Sequence, residues 1–183
     1  DLVRSRGLGD VYKRQTYYRD LDGGLVACSR NWALLPGENH VWRIAAQHQL
    51  ATRLPIGLAI QGELCGPGIQ KNRLGLDELT WFCFSIYDVR AGRFHAIDEM
   101  IACCAELGLP TVPIEQDVRG DAAAAYVHTL DGWLEAARGR YPGTKSNKEG
   151  IVIRPRVETR SEALGGRLSF KVINNDFLLK DED

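Results

Sequence analysis

The sequence predicts an α+β domain of largely antiparallel sheets with helices beside them, and three observations carry that expectation. Apolar and aromatic runs bounded by Gly, Pro and Asp recur as short strands. Three stretches carry apolar residues at helical spacing. Strand and helix mix without the strict alternation that a parallel sheet requires.

At 183 residues, 44% hydrophobic and 26% charged, the chain has an ordinary soluble composition and the length of one domain. No run of eighteen apolar residues occurs and the N-terminus has no signal-peptide core, so the sequence points to the cytoplasm. A net charge of −1 argues against a protein that coats nucleic acid without specificity, so a polyanion has to be met by local cations. Arg138, Arg140, Lys145, Lys148, Arg154, Arg156 and Arg160 form one such concentration, which a solvated face would also explain. Cys28, Cys65, Cys83, Cys103 and Cys104 include no C-x-x-C pair and read as reduced, mostly buried thiols rather than zinc ligands.

Taken in order, Thr16–Arg19 and Leu25–Ser29 read as a hairpin joined by Asp20-Leu21-Asp22-Gly23-Gly24. A helix follows over 39–54, with Val41, Ile44, Ala45 and His48 on one face and Pro55 beyond its end. Ile56–Leu64 and Trp81–Val89 are strand-like, the second apolar and aromatic enough for burial. Residues 96–108 read as an amphipathic helix closed by Gly108 and Pro110, 111–114 as a short strand, 120–140 as a second long helix, and 148–155 and 167–174 as the last strands. No repeat or linker interrupts residues 16–180. Residues 1–15 carry six charged side chains and no helix or strand period. They look like translated adapter sequence from the broken ends of environmental gene predictions and are set aside as non-native.

The stretch GELCGPGIQKN, residues 62–72, places Glu63 at the mouth of a strand and ends that strand with Gly66-Pro67-Gly68. A carboxylate beside a loop rich in donors suits a ligand site, and a surface turn suits the same letters. Further stretches lie on or beside predicted strands: CSRNW (28–32), FSIYDV (84–89), KEGIVIRP (148–155) and LSFKVINNDFLLK (168–180). They offer a guanidinium, an aromatic ring, a second carboxylate among cations, and a lysine. Transfer of a nucleotide requires that set. Tyr87 can stack on a base, Glu63 can accept ribose hydroxyls, Arg30, Arg154 and Lys171 can meet phosphates, and Glu149 can hold a divalent ion.

On these residues the chain resembles the covalent nucleotidyltransferase superfamily of ligases and capping enzymes, and within it the ATP-dependent RNA ligases of the phage T4 RNA ligase 2 and Deinococcus types. GELCGPGIQKN is similar to the family's third motif almost letter for letter. The resemblance implies an ATP-grasp-like ligase adenylation domain of antiparallel sheets flanked by helices over residues 16–183, cut upstream of the arginine-bearing motif. It implies Glu63 on the ribose, with 66–72 shaping the pocket wall, and Tyr87 on adenine with Asp88 beside it. Arg30 and Arg154 would lie near phosphates, Glu149 would be the essential acid and metal ligand, and Lys171 would meet the α-phosphate. ATP and Mg2+ are the implied cofactors, RNA ends the implied partner, and a monomer the implied state. In the implied reaction a lysine attacks the α-phosphorus of ATP, AMP passes to an RNA 5′-phosphate, and a 3′-hydroxyl displaces AMP.

Two positions depart from the family pattern. Ile173 stands where the T4 type has a second lysine, for which Lys180 is a candidate substitute. The sequence has no K-x-D-G motif: DLDG at 20–23 puts Asp20 where the nucleophilic lysine belongs, and Lys13 has no Asp-Gly after it. The lysine motif is therefore expected upstream of Thr16. A DNA ligase or capping guanylyltransferase shares the scaffold, and an inert nucleotide- or RNA-binding fragment fits the missing lysine.

Overall fold

The computed structural model describes residues 2–6, 14–116 and 129–179. The chain divides into two compact units, residues 10–111 and residues 1–9 with 112–183, although its sequence shows no linker. Strand β1 (Leu2–Arg6) belongs to the second of these.

The unit of residues 10–111 contains β2 (Arg14–Arg19), β3 (Leu25–Cys28), β4 (Ala33–Leu34), β5 (Leu58–Cys65), β6 (Thr80–Asp88) and β7 (Arg93–Phe94). They form one antiparallel sheet in the order β4-β3-β2-β5-β6-β7. The predicted β2–β3 hairpin forms because Asp20 Oδ1 accepts from the backbone N–H of Asp22 (3.0 Å) and Gly24 (2.7 Å), while Gly23 takes φ +90°. Tyr17, Ile60, Trp81 and Ile86 fill one face of the sheet and are fully buried. The Tyr17 ring meets Trp81 edge-on at 5.2 Å, and its hydroxyl donates to Val41 O at 2.8 Å.

The helix predicted over 39–54 is two helices, α1 (His40–Gln47) and α2 (Leu50–Arg53). Asn39 caps the first by accepting from Trp42 N at 3.0 Å. Gln49, at φ +52°, breaks the ladder between them, and beyond the break Leu50 and Leu54 are both fully buried. Helix α3 (Ile97–Leu107) follows the predicted span, ends at Gly108 (φ +68°), and packs on β6.

The second unit contains β1, β8 (Ile114–Gln116), α4 (Leu130–Ala137), β9 (Gly150–Pro155), β10 (Arg160–Ser161), β11 (Gly166–Arg167), β12 (Phe170–Ile173) and α5 (Asn175–Leu178). Its antiparallel sheet runs β12-β9-β1-β8, and β10 pairs with β11 separately. Residues 1–15 show no strand period in the sequence, yet Leu2–Arg6 is a strand. Leu2–Arg6 is an interior strand whose backbone bonds on both sides, to β8 and β9. Pairing, rather than side-chain alternation, puts it there. Of the helix predicted over 120–140, residues 130–137 are helical, and residues 120–128 lie outside the described residues. The predicted strand at 167–174 is broken into β11 and β12, with Arg167 held by two hydrogen bonds to Glu158. Ile151 and Ile153 pack with Ala137, Trp133, Ala136 and Val172, so one face of this sheet lies under α4. Among the described residues no helix is long and apolar enough to cross a membrane.

Candidate functional site

Cross-strand partners project from the same face of a sheet, so register decides which side chains can serve one ligand. Glu63 pairs with Phe82, and Ala59 pairs with Tyr87. The four steps from Ala59 to Glu63 on β5 are matched by five from Phe82 to Tyr87 on β6, because a bulge interrupts the register beside Gly62. Trp81, Cys83 and Ile86 pair with Leu64, Gly62 and Ile60, which alternate along β5 on one face, whereas strict alternation along β6 would put Ile86 on the other. The bulge thus returns Tyr87 to the face that carries Glu63. Arg14 pairs with Glu63 on its other side, and its guanidinium lies 5.7 Å from the centroid of the Phe84 ring.

The letters of GELCGPGIQKN divide between support and presentation. A Cβ on Gly62 would sit 2.4 Å from the Trp81 ring and 2.5 Å from Phe82 O, and one on Gly66 (φ +126°) would sit 2.6 Å from Glu78 O. Asn72 clasps the following loop, donating to Leu76 O (2.7 Å) and accepting from Leu76 N (3.0 Å). Glu63 is 4% exposed at the strand end these contacts define. Gln15, in the segment set aside from the sequence, is also buried, and its Oε1 accepts from Leu64 N at 3.1 Å. Sequence reasoning missed it because nothing local marks a side chain that replaces a ladder bond.

Tyr87 is half-buried with its ring edge-on to Phe94 at 4.9 Å. Its neighbour Asp88 is a turn residue, accepting from the N–H groups of Arg90 and Ala91 at 2.9 Å each. Arg30 is exposed on the turn from β3 to β4, closed by Ser29 N donating to Trp32 O at 2.8 Å.

In the second unit Glu149, 5% exposed, immediately precedes β9, and its Oε2 lies 3.6 Å from Lys171 Nζ. Val172 packs with Ile151 under α4, so Lys171 and its partner Val152 face the other way, together with Arg154. Arg154 Nε donates to Ser169 Oγ at 3.4 Å. Ile173 follows Lys171 on that face and is 42% exposed, an alkyl chain where the family pattern puts an amine. Lys13 and Lys180 lie outside the described residues. Strands β9 and β12 close tightly at Gly150 (φ +147°), where a Cβ would fall 2.0 Å from Val172 O.

The sequence also passed over Asn174. It is fully buried, its Nδ2 donates to Lys148 O at 2.8 Å, and its Oδ1 accepts from Asp176 N at 3.1 Å. An Asn directly before a short helix was the available signal.

Several cations of the 138–160 stretch are engaged locally. Arg138 pairs with Glu135 at 3.1 Å, Lys148 Nζ donates to Ala136 O at 3.3 Å, and Arg160 reaches Gly165 O at 3.5 Å. The five cysteines are free thiols, and a hydrogen bond with Cys104 together with burial pushes the Cys83 thiol up. Among the described residues no group of three or more His, Cys, Asp and Glu side chains could hold a metal ion. A hard divalent cation that takes one carboxylate plus phosphate and water oxygens fits Glu149 better than a protein cage would.

Antiparallel sheets flanked by helices, with an acid and an aromatic on one sheet face and an acid–lysine pair on another, have the build of a nucleotidyltransferase domain. The fold is similar to that of the Naegleria gruberi RNA ligase. A glutamate-to-alanine mutant of that enzyme with ATP and Mn is 27% identical and superposes with a TM-score of 0.80 over 100% of this chain and 52% of that one. The same ligase with PPi, and a lysine-to-methionine mutant with AMP and Mn, each match at 27% identity with a TM-score of 0.79 over 100% of this chain and 52% of theirs. The chain therefore spans about half the length of these solved ligases. No curated protein matches it by sequence. The RNA ligase family model matches residues 12–173, and the chain belongs to the RNA ligase family.

Proposed function

We propose that this chain is the adenylation domain of an ATP-dependent RNA ligase of the T4 RNA ligase 2 or Deinococcus type, which joins RNA 5′-phosphate and 3′-hydroxyl ends through enzyme-AMP and RNA-adenylate intermediates. The observation that carries the reading is the buried Glu149 carboxylate 3.6 Å from Lys171, on strands locked together at Gly150. In this reading Tyr87 stacks on adenine and Glu63 accepts from the ribose hydroxyls. Arg30, Arg154 and Lys171 donate to phosphate oxygens, with Lys171 on the α-phosphate, where negative charge builds as the P–N bond to the attacking lysine forms and the P–O bond to pyrophosphate breaks. Glu149 would hold a divalent ion, Mg2+ by its preference for oxygen, which when bound neutralises phosphate charge. The ATP and Mn held by the solved Naegleria ligase mutants support ATP and a divalent metal.

The attacking lysine is expected from a K-x-D-G motif, which this sequence does not show. That absence favours a second reading for the chain as it stands, a nucleotide-binding fragment that forms no lysyl-AMP. Labelled ATP and Mg2+, with the gel run without acid fixation, separate the two. A chain that carries a K-x-D-G segment ahead of residue 16 is expected to give a covalent AMP band, and the chain alone none. In that lysine-bearing chain Glu149→Ala and Lys171→Ala are each expected to cut adenylyl transfer about 10²–10³-fold. Undiminished rates in both variants would sink the assignment.

A further inference from the structure

We infer that Asn174 is a positioning residue for Glu149, holding the main chain on both sides of it so that its carboxylate stands beside Lys171. The inference rests on the reading of Glu149 as the acid of the nucleotide site.

The two carbonyls that flank the Glu149 Cα are both held by Asn174. Its side-chain Nδ2 donates to Lys148 O at 2.8 Å, and its backbone N–H donates to Glu149 O at 2.9 Å. Holding both peptide units fixes the orientation of the Cα–Cβ bond between them, and so the direction in which the carboxylate leaves the chain. Asn174 directly follows the strand that carries Lys171, so one short segment supplies both the amine and the anchor of the acid. Gly150 allows β12 to come this close, since any Cβ there would meet Val172 O. Asn174 is fully buried, so a lost bond is not replaced by bulk water.

A merely structural role is available, because Asn174 Oδ1 also caps α5 by accepting from Asp176 N at 3.1 Å. The two roles use different atoms of one amide, and substitution separates them. Asn174→Ser and Asn174→Asp both keep an oxygen that can cap α5, while the carboxylate has no donor for Lys148 O and the serine hydroxyl, one atom shorter, draws its donor back from it. Asn175→Gly weakens α5 without touching either carbonyl.

The test uses the whole chain labelled with 13C at the glutamate carboxyl carbon, the Glu149 signal being assigned by its loss in Glu149→Gln. Asn174→Ser is expected to stay folded, to displace that signal, and to remove most of the further displacement that Lys171→Ala produces in the wild-type background. Asn174→Asp is expected to do the same, and Asn175→Gly to leave the signal in place. A folded Asn174→Ser protein with the wild-type signal overturns the inference, as does an equal displacement in Asn175→Gly. Calorimetric titration with ATP and Mn2+ forms a second arm. Asn174→Ser is expected to weaken binding about tenfold or more, the scale seen when a group orienting a ligand-bearing side chain is removed. If the signal moves as expected but Glu149→Gln binds ATP and Mn2+ like the wild type, the positioning relation stands and the nucleotide reading of Glu149 falls.

Discussion

Glu63 and Tyr87 share one face of the six-stranded sheet because β6 carries one residue more than β5 between their cross-strand partners, Phe82 and Ala59. Without that residue Tyr87 would project into the face filled by Tyr17, Ile60 and Trp81. The bulge sits beside Gly62, where the Trp81 ring and Phe82 O leave no room for a Cβ. The opening letters of GELCGPGIQKN thus serve the position of an aromatic twenty-odd residues later as much as that of their own glutamate.

Gly62→Ala is expected to destabilise the fold by about 3 kcal/mol or more, since the Trp81 ring and the Phe82 carbonyl must both shift. Gly68→Ala, at φ +78° with no atom within 4 Å of the added Cβ, is expected to cost only about 1 kcal/mol for its backbone conformation. Urea unfolding of the two variants measures the difference, and equal costs would show that the sheet repacks freely around Trp81.

Tyr87→Ala is expected to weaken ATP binding by about 1–3 kcal/mol, the worth of one base–aromatic stack, whereas Tyr87→Phe keeps most of it. The edge contact with Phe94 is lost in the alanine variant as well, so thermal stability is measured alongside affinity. Wild-type affinity in folded Tyr87→Ala protein would make the ring a packing element only.

Gly150→Ala is expected to part β12 from β9 and so to break the Glu149–Lys171 pair along with the strand ladder. Faster hydrogen exchange confined to residues 150–153 and 170–173, with the β5–β6 amides unchanged, is the expected pattern. Unchanged exchange in β9 and β12 would contradict the steric argument.

Glu99 is held down to about 2 from an ordinary 4.5, chiefly by hydrogen bonds from Arg93 at 2.7 and 2.9 Å and then by Ala96 N at 2.8 Å. A depressed carboxyl stabilises the folded chain above about 4.5, and that contribution is lost as pH falls towards 2. The pair is largely exposed, so the effect is small. Glu99→Gln is expected to lower Tm by about 1–4 °C at pH 7, with the gap to wild type closing between pH 4.5 and 2. A gap that does not change with pH would assign the effect to capping by any neutral acceptor.

Most of what was legible in the sequence rests on local signals. The Asp20–Gly24 turn, the end of β5 at Gly66-Pro67-Gly68 and the span of α3 to Gly108 follow from the conformational preferences of a few adjacent residues. Glu63, Tyr87, Glu149 and Lys171 stood out as candidates for the same reason, since a motif is a short run of letters. The break at Gln49 was not, because Val41, Ile44, Ala45 and His48 keep helical spacing up to it, and burial of Leu50 and Leu54 is a tertiary outcome. Nor was the strand at Leu2–Arg6, whose place is set by two neighbours' unpaired backbone groups rather than by its own alternation. The face on which Tyr87 lies, the Glu149–Lys171 distance and the grip of Asn174 on both carbonyls around Glu149 depend on register and hydrogen bonds between segments far apart in the chain. One residue of slip reverses a face, and no property of a strand taken alone states which neighbour it will meet, so only the folded chain decides them.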